Sequence, residues 1–285
     1  MASIRVAQPH GFCAGVARAL RIADEALRAN ASVWCLHAIV HNTHVVEQLT
    51  ARGMRFVETL EEIPDGATVL FSAHGVPPAI RLEAARKNLQ IIDATCPFVD
   101  KVHREVAAFA RAGSTILCIG NPAHAEVIGV AGEAPGVFHA IATEEEALNV
   151  PVANPERVAV VTQTTISAQL ADRLLTILRH RFPHLQEPRQ ADICTATRER
   201  QEAVSRLAAE TDLVIVLGSP ASSNSRRLAE CAQACGTPAV LIDSLDQLDQ
   251  IPLPERIGLT SGASTPENFL LAAKAHLEAI GGQNQ

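Results

Sequence analysis

Residues 96–124 read CPFVDKVHREVAAFARAGSTILCIGNPAH. A cysteine opens a helix-like stretch, a short β-branched run (114–120) follows, and that run ends in a polar cluster, Asn121 through His124, with Glu126 just beyond. Two other segments have the same form. CAGVARALRIADEALRANASVWCLHAIVH spans 13–41, and CTATRERQEAVSRLAAETDLVIVLGSPAS spans 194–222. In each, the polar residue that closes the segment (His41, His124, Ser222) stands 28 positions after its cysteine. Ordinary helix–strand alternation explains neither the equal offsets nor the matching cysteines, so the pattern identifies an internal triplication.

Each copy continues alike. A helix leads to a second strand (MRFVET, VFHAIAT, AVLIDS), then an acidic connector ends in proline (LEEIP, EEEALNVP, LDQLDQIP). A third strand runs into another polar tip at VLFSAHG (69–75), VAVVTQTT (158–165) and IGLTSGAS (257–264), and a final helix closes the unit. Such alternation predicts α/β architecture with parallel sheets covered by helices. The expectation is a trefoil: three small α/β lobes related by pseudo-threefold symmetry around a central site, at 1–95, 96–193 and 194–280. The third copy lacks the closing strand that LQIIDATC supplies after the first, and the opening IRVAQPHGFC has the same strand-then-cysteine form. The C-terminal tail, about 265–285, is therefore expected to pack back near the N-terminus. Ligands of parallel sheets sit beyond the carboxyl ends of the strands, so the six polar tips are expected to converge.

Composition narrows the function. Apolar residues make up 47% of the 285 and charged residues 19%, which is ordinary globular usage. Aromatic residues make up only 3%, with no Tyr, so the core must be built from Ala, Val, Leu and Ile. A net charge of −7 offers no general attraction to nucleic acid or an anionic membrane. No secretory signal is apparent in MASIRVAQPHGFC, and no apolar run approaches the roughly 18 residues of a membrane span. Seven dispersed cysteines suit a reducing cytoplasm and thiol or metal roles rather than a disulfide framework.

The three repeat cysteines, Cys13, Cys96 and Cys194, each precede a helix, where unpaired amides and the helix dipole favour the metal-binding thiolate. Their wide spacing excludes a local zinc ribbon. Three sulfurs suit a [4Fe–4S] cluster with one open iron, and a three-cysteine zinc site is the lesser alternative. Cys35 and Cys118 lie inside strands where the third copy has Val216, which marks a core position. Cys231 and Cys235 have no His or Cys beside them to complete a metal site. The tips supply His41, His74 and His124, the hydroxyls of Thr164, Ser222, Ser223 and Ser264, the amide of Asn224, and one carboxylate, Glu126. Helix starts rich in such donors suit a polyanion. Beside an anion the Glu126 pKa should rise, which equips it as a proton donor.

The chain resembles the 4-hydroxy-3-methylbut-2-enyl diphosphate reductases, the IspH or LytB family. The motifs are GFCAGV (11–16), VHN (40–42), SAHGV (72–76), ATCP (94–97), HAEVIG (124–129), TQTT (162–165), ICTATRERQEAV (193–204), SSNS (222–225) and SGAS (261–264). The resemblance implies a [4Fe–4S] cluster on Cys13, Cys96 and Cys194. It also implies a diphosphate held by His41, His74, His124, Ser222, Ser223, Asn224 and Ser264, with Thr164 and Glu126 at the allylic hydroxyl. The implied reaction is a two-electron reductive dehydration to isopentenyl and dimethylallyl diphosphate, the last step of the non-mevalonate (MEP) isoprenoid pathway. Ferredoxin or flavodoxin would donate the electrons to a cytoplasmic monomer. His10, Ala17, Thr43, His44 and Ala221 depart from the family's usual residues, and none is a ligand or the proton donor. Two other classes fit less well. A quinolinate-synthase-like dehydratase lacks these HN, AHG and SSNS tips, and an iron–sulfur sensor has no need of Glu126 within such a donor shell.

Replacing any one of Cys13, Cys96 or Cys194 with Ser is expected to abolish or cripple cluster binding, whereas a small apolar residue is tolerated at Cys35, Cys118, Cys231 or Cys235. Iron content and visible absorption of the purified variants measure both outcomes.

Overall fold

Buried β-branched runs of four or five residues are too short for helices and long enough for central strands of a parallel sheet. In the computed structural model, which describes residues 3–283, the runs pair in this way. The first copy contributes β1 (Ser3–Val6), α1 (Ala14–Ala29), β2 (Val33–Leu36), α2 (Thr43–Ala51), β3 (Met54–Val57), β4 (Thr68–Phe71), α3 (Pro78–Arg86) and β5 (Gln90–Asp93). The second contributes α4 (Pro97–Arg111), β6 (Thr115–Ile119), α5 (Ala125–Ala131), β7 (Phe138–Ile141), α6 (Glu144–Asn149), β8 (Val158–Thr162) and α7 (Ala168–Arg181). The third contributes α8 (Thr195–Ala208), β9 (Leu213–Leu217), α9 (Ser223–Ala234), β10 (Ala239–Ile242), β11 (Arg256–Ser261) and α10 (Glu267–Gln283). The fold is α/β, with three lobes each built on a parallel sheet.

Strand order repeats from sheet to sheet. The sheets run β3-β2-β4-β5, β7-β6-β8 and β10-β9-β11-β1, with every described pairing parallel. Each places the strand that follows the copy's cysteine-led helix (β2, β6 or β9) between the copy's next two strands. A closing strand follows in the first and third sheets. In the third that strand is β1, whose Ile4 and Val6 pair with Ile257 and Leu259 of β11. The middle sheet keeps only a single parallel bridge, Ala159 to Gln186. The connectors repeat too. Thr59, Thr143 and Ser244 each open a helical turn with a capping box closed by Glu62, Glu146 and Gln247.

The chain divides into two compact units. One holds residues up to Val16, His41–Glu47 and residues from Thr195 onward, with the third sheet; the other holds Ala17–Val40 and Gln48–Cys194, with the first two. Alternate side chains of a strand serve opposite faces. In the third sheet, Leu213, Ile215 and Leu217 pack with Leu270, Ala273 and Leu277 of α10 and with Ile4 and Val6 of β1. Val214 and Val216 pack instead with Val204 and Leu207 of α8 and Leu228 of α9. The middle sheet does the same, with Ile116 and Cys118 toward α4 and α5, and Leu117 and Ile119 toward α7. The expected ends of the first lobe at 1–2 and of the tail at 284–285 lie outside the described residues.

The first central strand is shorter than the run at 32–40 suggests. His37 takes a left-handed conformation (φ 58°) and turns the chain out of the sheet, while its N–H still donates to the Val57 carbonyl. The segment 37–42 thereby becomes a loop that presents His41.

Gly262, just past β11, lies against α9, and a Cβ there would run into the Ser225 side chain, itself fully buried. Gly262→Ala is expected to destabilise the protein by about 1–3 kcal/mol, the usual cost of overpacking, and Ser225→Ala in the same chain to recover part of it. Urea unfolding of the two single variants and the double variant measures the coupling.

Candidate active site

Each repeat cysteine is positioned through its own backbone. The Cys96 N–H donates to the Ala73 carbonyl (3.0 Å), the Cys194 N–H to the Thr164 carbonyl (3.2 Å), and the Cys13 N–H to the Ala263 carbonyl (3.0 Å). Those acceptors sit in the third-strand tips SAHG, TQTT and SGAS. A tip that bears candidate ligand-binding side chains therefore also seats a cysteine. The cysteine then stands at the start of α4, α8 or α1, and all three side chains are half-buried. The Val16 N–H approaches the Cys13 sulfur (3.4 Å). The other cysteines differ. Burial pushes Cys35 up to about 12 and raises Cys118 strongly, which keeps both as inert thiols. Cys231, raised chiefly by burial to about 11, packs in the core beside α8, and Cys235 is exposed.

The two-sheet unit brings together His74, His124, Glu126 and Thr164. Glu126, in the first turn of α5, is 3% exposed. One carboxylate oxygen, Oε1, accepts from the Thr164 N–H (2.6 Å), and Oε2 lies 3.0 Å from the Thr164 hydroxyl. Burial drives its pKa up to about 7; the Thr164 bonds oppose the rise and the nearby Asp192 charge adds to it. The cause differs from the one expected from sequence, because desolvation by the protein acts before any anion arrives. With Oε1 occupied by an N–H, the proton of the neutral acid belongs on Oε2, facing the Thr164 hydroxyl. His124 caps α5 by accepting the Glu126 N–H (3.2 Å), and its ring meets that of His74 edge-on at 5.7 Å. Gln163, buried and given no role by the sequence reading, joins the two tips of this lobe. Its Oε1 accepts from the Asn121 N–H (3.0 Å) and its Nε2 donates to the Thr165 hydroxyl (2.9 Å). His74 is backed by a tight turn at Gly75 (φ 75°), where a Cβ would lie 2.8 Å from His103 Nε2. His103 is itself fixed by Glu133 at 2.8 Å.

The other unit brings together His41, Ser222, Ser223, Asn224 and Ser264. Ser222 caps α9 by accepting the Ser225 N–H, and Ser223 and Asn224 form its buried first turn. Both polar atoms of the Asn224 amide are buried without a hydrogen-bond partner. Such orphaned groups are costly, and a bound polar ligand is the usual reason they persist. The Ser264 hydroxyl donates to the His41 carbonyl (3.1 Å) and so fixes the loop that carries the imidazole. Burial, and secondarily the charge of Arg226, hold the His41 pKa below its ordinary value. Arg226 is a residue the sequence reading passed over. It follows the SSNS motif in α9 and supplies a positive charge to a shell that seemed to lack one.

A family model described as LytB protein matches residues 4–278. The chain belongs to the LytB family. It is 47% identical to the 4-hydroxy-3-methylbut-2-enyl diphosphate reductase of Pseudomonas fluorescens (strain SBW25), covering 98% of this chain and 90% of that one. It is 46% identical to the 4-hydroxy-3-methylbut-2-enyl diphosphate reductase 2 of Burkholderia mallei (strain ATCC 23344), covering 99% and 88%. Among solved structures, the E-1-hydroxy-2-methyl-but-2-enyl-4-diphosphate reductase of Plasmodium falciparum superposes with a TM-score of 0.91 at 38% identity, covering 95% of this chain and 86% of that one. LytB membership implies an iron–sulfur cluster, and the donor chemistry fits one: three half-buried cysteines at equivalent helix starts, each with its N–H tied to an equivalent carbonyl. Among the described residues no three His, Cys, Asp or Glu side chains gather closely enough to hold a single metal ion, and no helix is long and apolar enough to cross a membrane.

The raised pKa of Glu126 has a consequence for stability. The folded state holds this proton more tightly than the unfolded state. Its contribution is therefore most favourable below about 4.5, the ordinary value, and is lost as pH climbs to about 7. Glu126→Gln is expected to stabilise the cluster-free protein at pH 8 by a few kcal/mol more than at pH 5, on the order of the shift itself. Urea unfolding of both proteins at the two pH values checks this.

Proposed function

We propose that this chain is a 4-hydroxy-3-methylbut-2-enyl diphosphate reductase that carries out the terminal step of the non-mevalonate isoprenoid pathway. It uses a [4Fe–4S] cluster ligated by Cys13, Cys96 and Cys194. Family membership over residues 4–278 supports the reaction class, and the buried Glu126–Thr164 pair is the observation that carries the chemistry. The overall change takes an allylic alcohol, two electrons and two protons to an isopentenyl or dimethylallyl diphosphate and water. When bound, the cluster, held by Cys13, Cys96 and Cys194, would supply the electrons and Lewis-acid assistance to the departing hydroxyl.

The chain's own residues bind, orient and protonate. His41, His74, His124, Ser222, Ser223, Asn224 and Ser264 hold the diphosphate, with the start of α9 adding its amide field. The orphaned Asn224 amide then gains partners, so its burial becomes an asset on binding. Glu126, poised near neutrality, gives a proton through Oε2, and Thr164 holds the substrate hydroxyl or relays that proton as C–O cleavage releases water. Loss of the proton turns Glu126 into a buried carboxylate, which its two Thr164 hydrogen bonds stabilise. The electrons come from a ferredoxin or flavodoxin, and the enzyme works as a cytoplasmic monomer with no nucleic-acid or membrane partner.

Anaerobic turnover of the hydroxymethylbutenyl diphosphate with a chemical reductant tests the assignment. Glu126→Gln should keep full iron content and bind substrate, but lose turnover by roughly 10²-fold or more, the scale of general-acid assistance. Near-normal turnover with full iron would move the proton source elsewhere.

A further inference from the structure

Three basic side chains outside the proposed site share a relation to its cysteines. Arg18, five residues after Cys13 in α1, donates to the carbonyl of Thr95, which immediately precedes Cys96 (3.0 Å). Lys101, five residues after Cys96 in α4, bonds to Asp192, two residues before Cys194 (2.7 Å), and to the Gln190 carbonyl (2.9 Å). Arg200, six residues after Cys194 in α8, donates to the carbonyl of Gly11, two residues before Cys13 (2.9 Å). The first two links lie within the two-sheet unit and the third within the other. In chain order they run from the helix of one cysteine to the approach of the next, and the third returns to the first.

The links are strong for their size. Arg200 is 3% exposed, and Asp192 is 3% exposed while also accepting the Thr162 N–H through its second oxygen (2.9 Å). Lys101 is held between Asp192 and Glu105, and those partners raise its pKa against the opposing effect of burial. A buried cation on a carbonyl or carboxylate makes a charge-assisted bond that is costly to break. Arg200 also donates to the Ala196 carbonyl of its own helix (3.1 Å). Other cations on the same helices, such as Arg21 and Arg104, are exposed and pair within four residues on their own helix.

We propose that Arg18, Lys101 and Arg200 are positioning residues, a closed set of clasps that each hold the approach to the next cysteine and govern how tightly the cluster is retained. The inference rests on the proposed ligand assignment. Breaking one clasp leaves all three sulfurs in place but frees one approach segment, so the cluster still assembles and is lost more easily.

The test reconstitutes the full chain anaerobically and follows visible absorption after addition of a ferrous chelator. Arg18→Gln, Lys101→Gln and Arg200→Gln are compared with the controls Arg21→Gln and Arg104→Gln. Each clasp variant should start with near-normal iron and lose its absorption about tenfold faster than the controls, the scale of one charge-assisted hydrogen bond. Arg18→Lys, which can still reach a carbonyl, should recover most of the difference. Urea unfolding of the iron-free Arg18→Gln protein should shift by less than cluster retention does, because one half-exposed hydrogen bond contributes little to global stability. Should the buried Arg200 variant fail to fold, the half-exposed Arg18 decides. Loss rates for Arg18→Gln equal to those of the controls overturn the clasp. A Cys96→Ser protein with full iron overturns the ligand assignment instead, and the two failures are read from different samples.

Discussion

The hydrogen bond from each repeat cysteine to a third-strand tip is the constraint on which the site depends. A thiolate ligand is useful only if its backbone is fixed, and side-chain rotation alone cannot fix it. Here the N–H of Cys96, Cys194 and Cys13 is spent on Ala73, Thr164 and Ala263. Each acceptor lies beside a residue proposed to touch substrate, namely His74, Thr164 itself or Ser264. Movement of a substrate-binding tip therefore moves a cysteine, and the reverse holds as well. In the proposed mechanism, substrate binding and cluster ligation would share one set of backbone bonds.

Repetition explains the frame, and departures from it explain the chemistry. Capping boxes, strand order and cysteine seats recur in every copy where the chain allows. Glu126 does not recur. At the matching position the first copy has Thr43, on the exposed start of α2, and the third has Asn224, whose amide awaits partners. The middle lobe alone buries an acid and lifts its pKa to about 7. Hydrogen bonds from Thr164 would lower that value, so burial outweighs them, and the group rests near the pH at which it can both give and regain a proton.

Much of this was legible in the sequence because periodic spacing encodes it. Equal offsets of 28 located the three cysteines, and alternation of helix and β-branched run gave the parallel sheets. What escaped were contacts between residues far apart in the chain and without a motif. Asp192 appears in sequence as an ordinary acid before a cysteine, yet it is buried and joins Lys101 to the Thr162 amide. Gln163 sits inside TQTT, but its bridge to Asn121 depends on how β6 and β8 end side by side. Arg226 escaped because it lies one residue beyond SSNS and belongs to no motif of its own. The early end of β2 was equally hidden: nothing in LHAIV marks His37 as the residue that turns left-handed.

The pairing of β1 with β11 bears on how the chain is made. β1 spans residues 3–6 and its partner spans 256–261, so β1 finds its place only after β11, far later in the chain, has followed it out of the ribosome. Until then its edge groups have no ladder. The first two sheets draw all their strands from between residues 33 and 162, so they can assemble while the third waits. Long-range pairing of this kind slows folding and exposes an unpaired strand meanwhile. β1 meets that hazard by being only four residues long and carrying Arg5, the sort of short, charged edge that resists unwanted pairing. A permuted chain in which β1 is placed after α10 would turn this pairing, the most distant among the described residues, into a more local one.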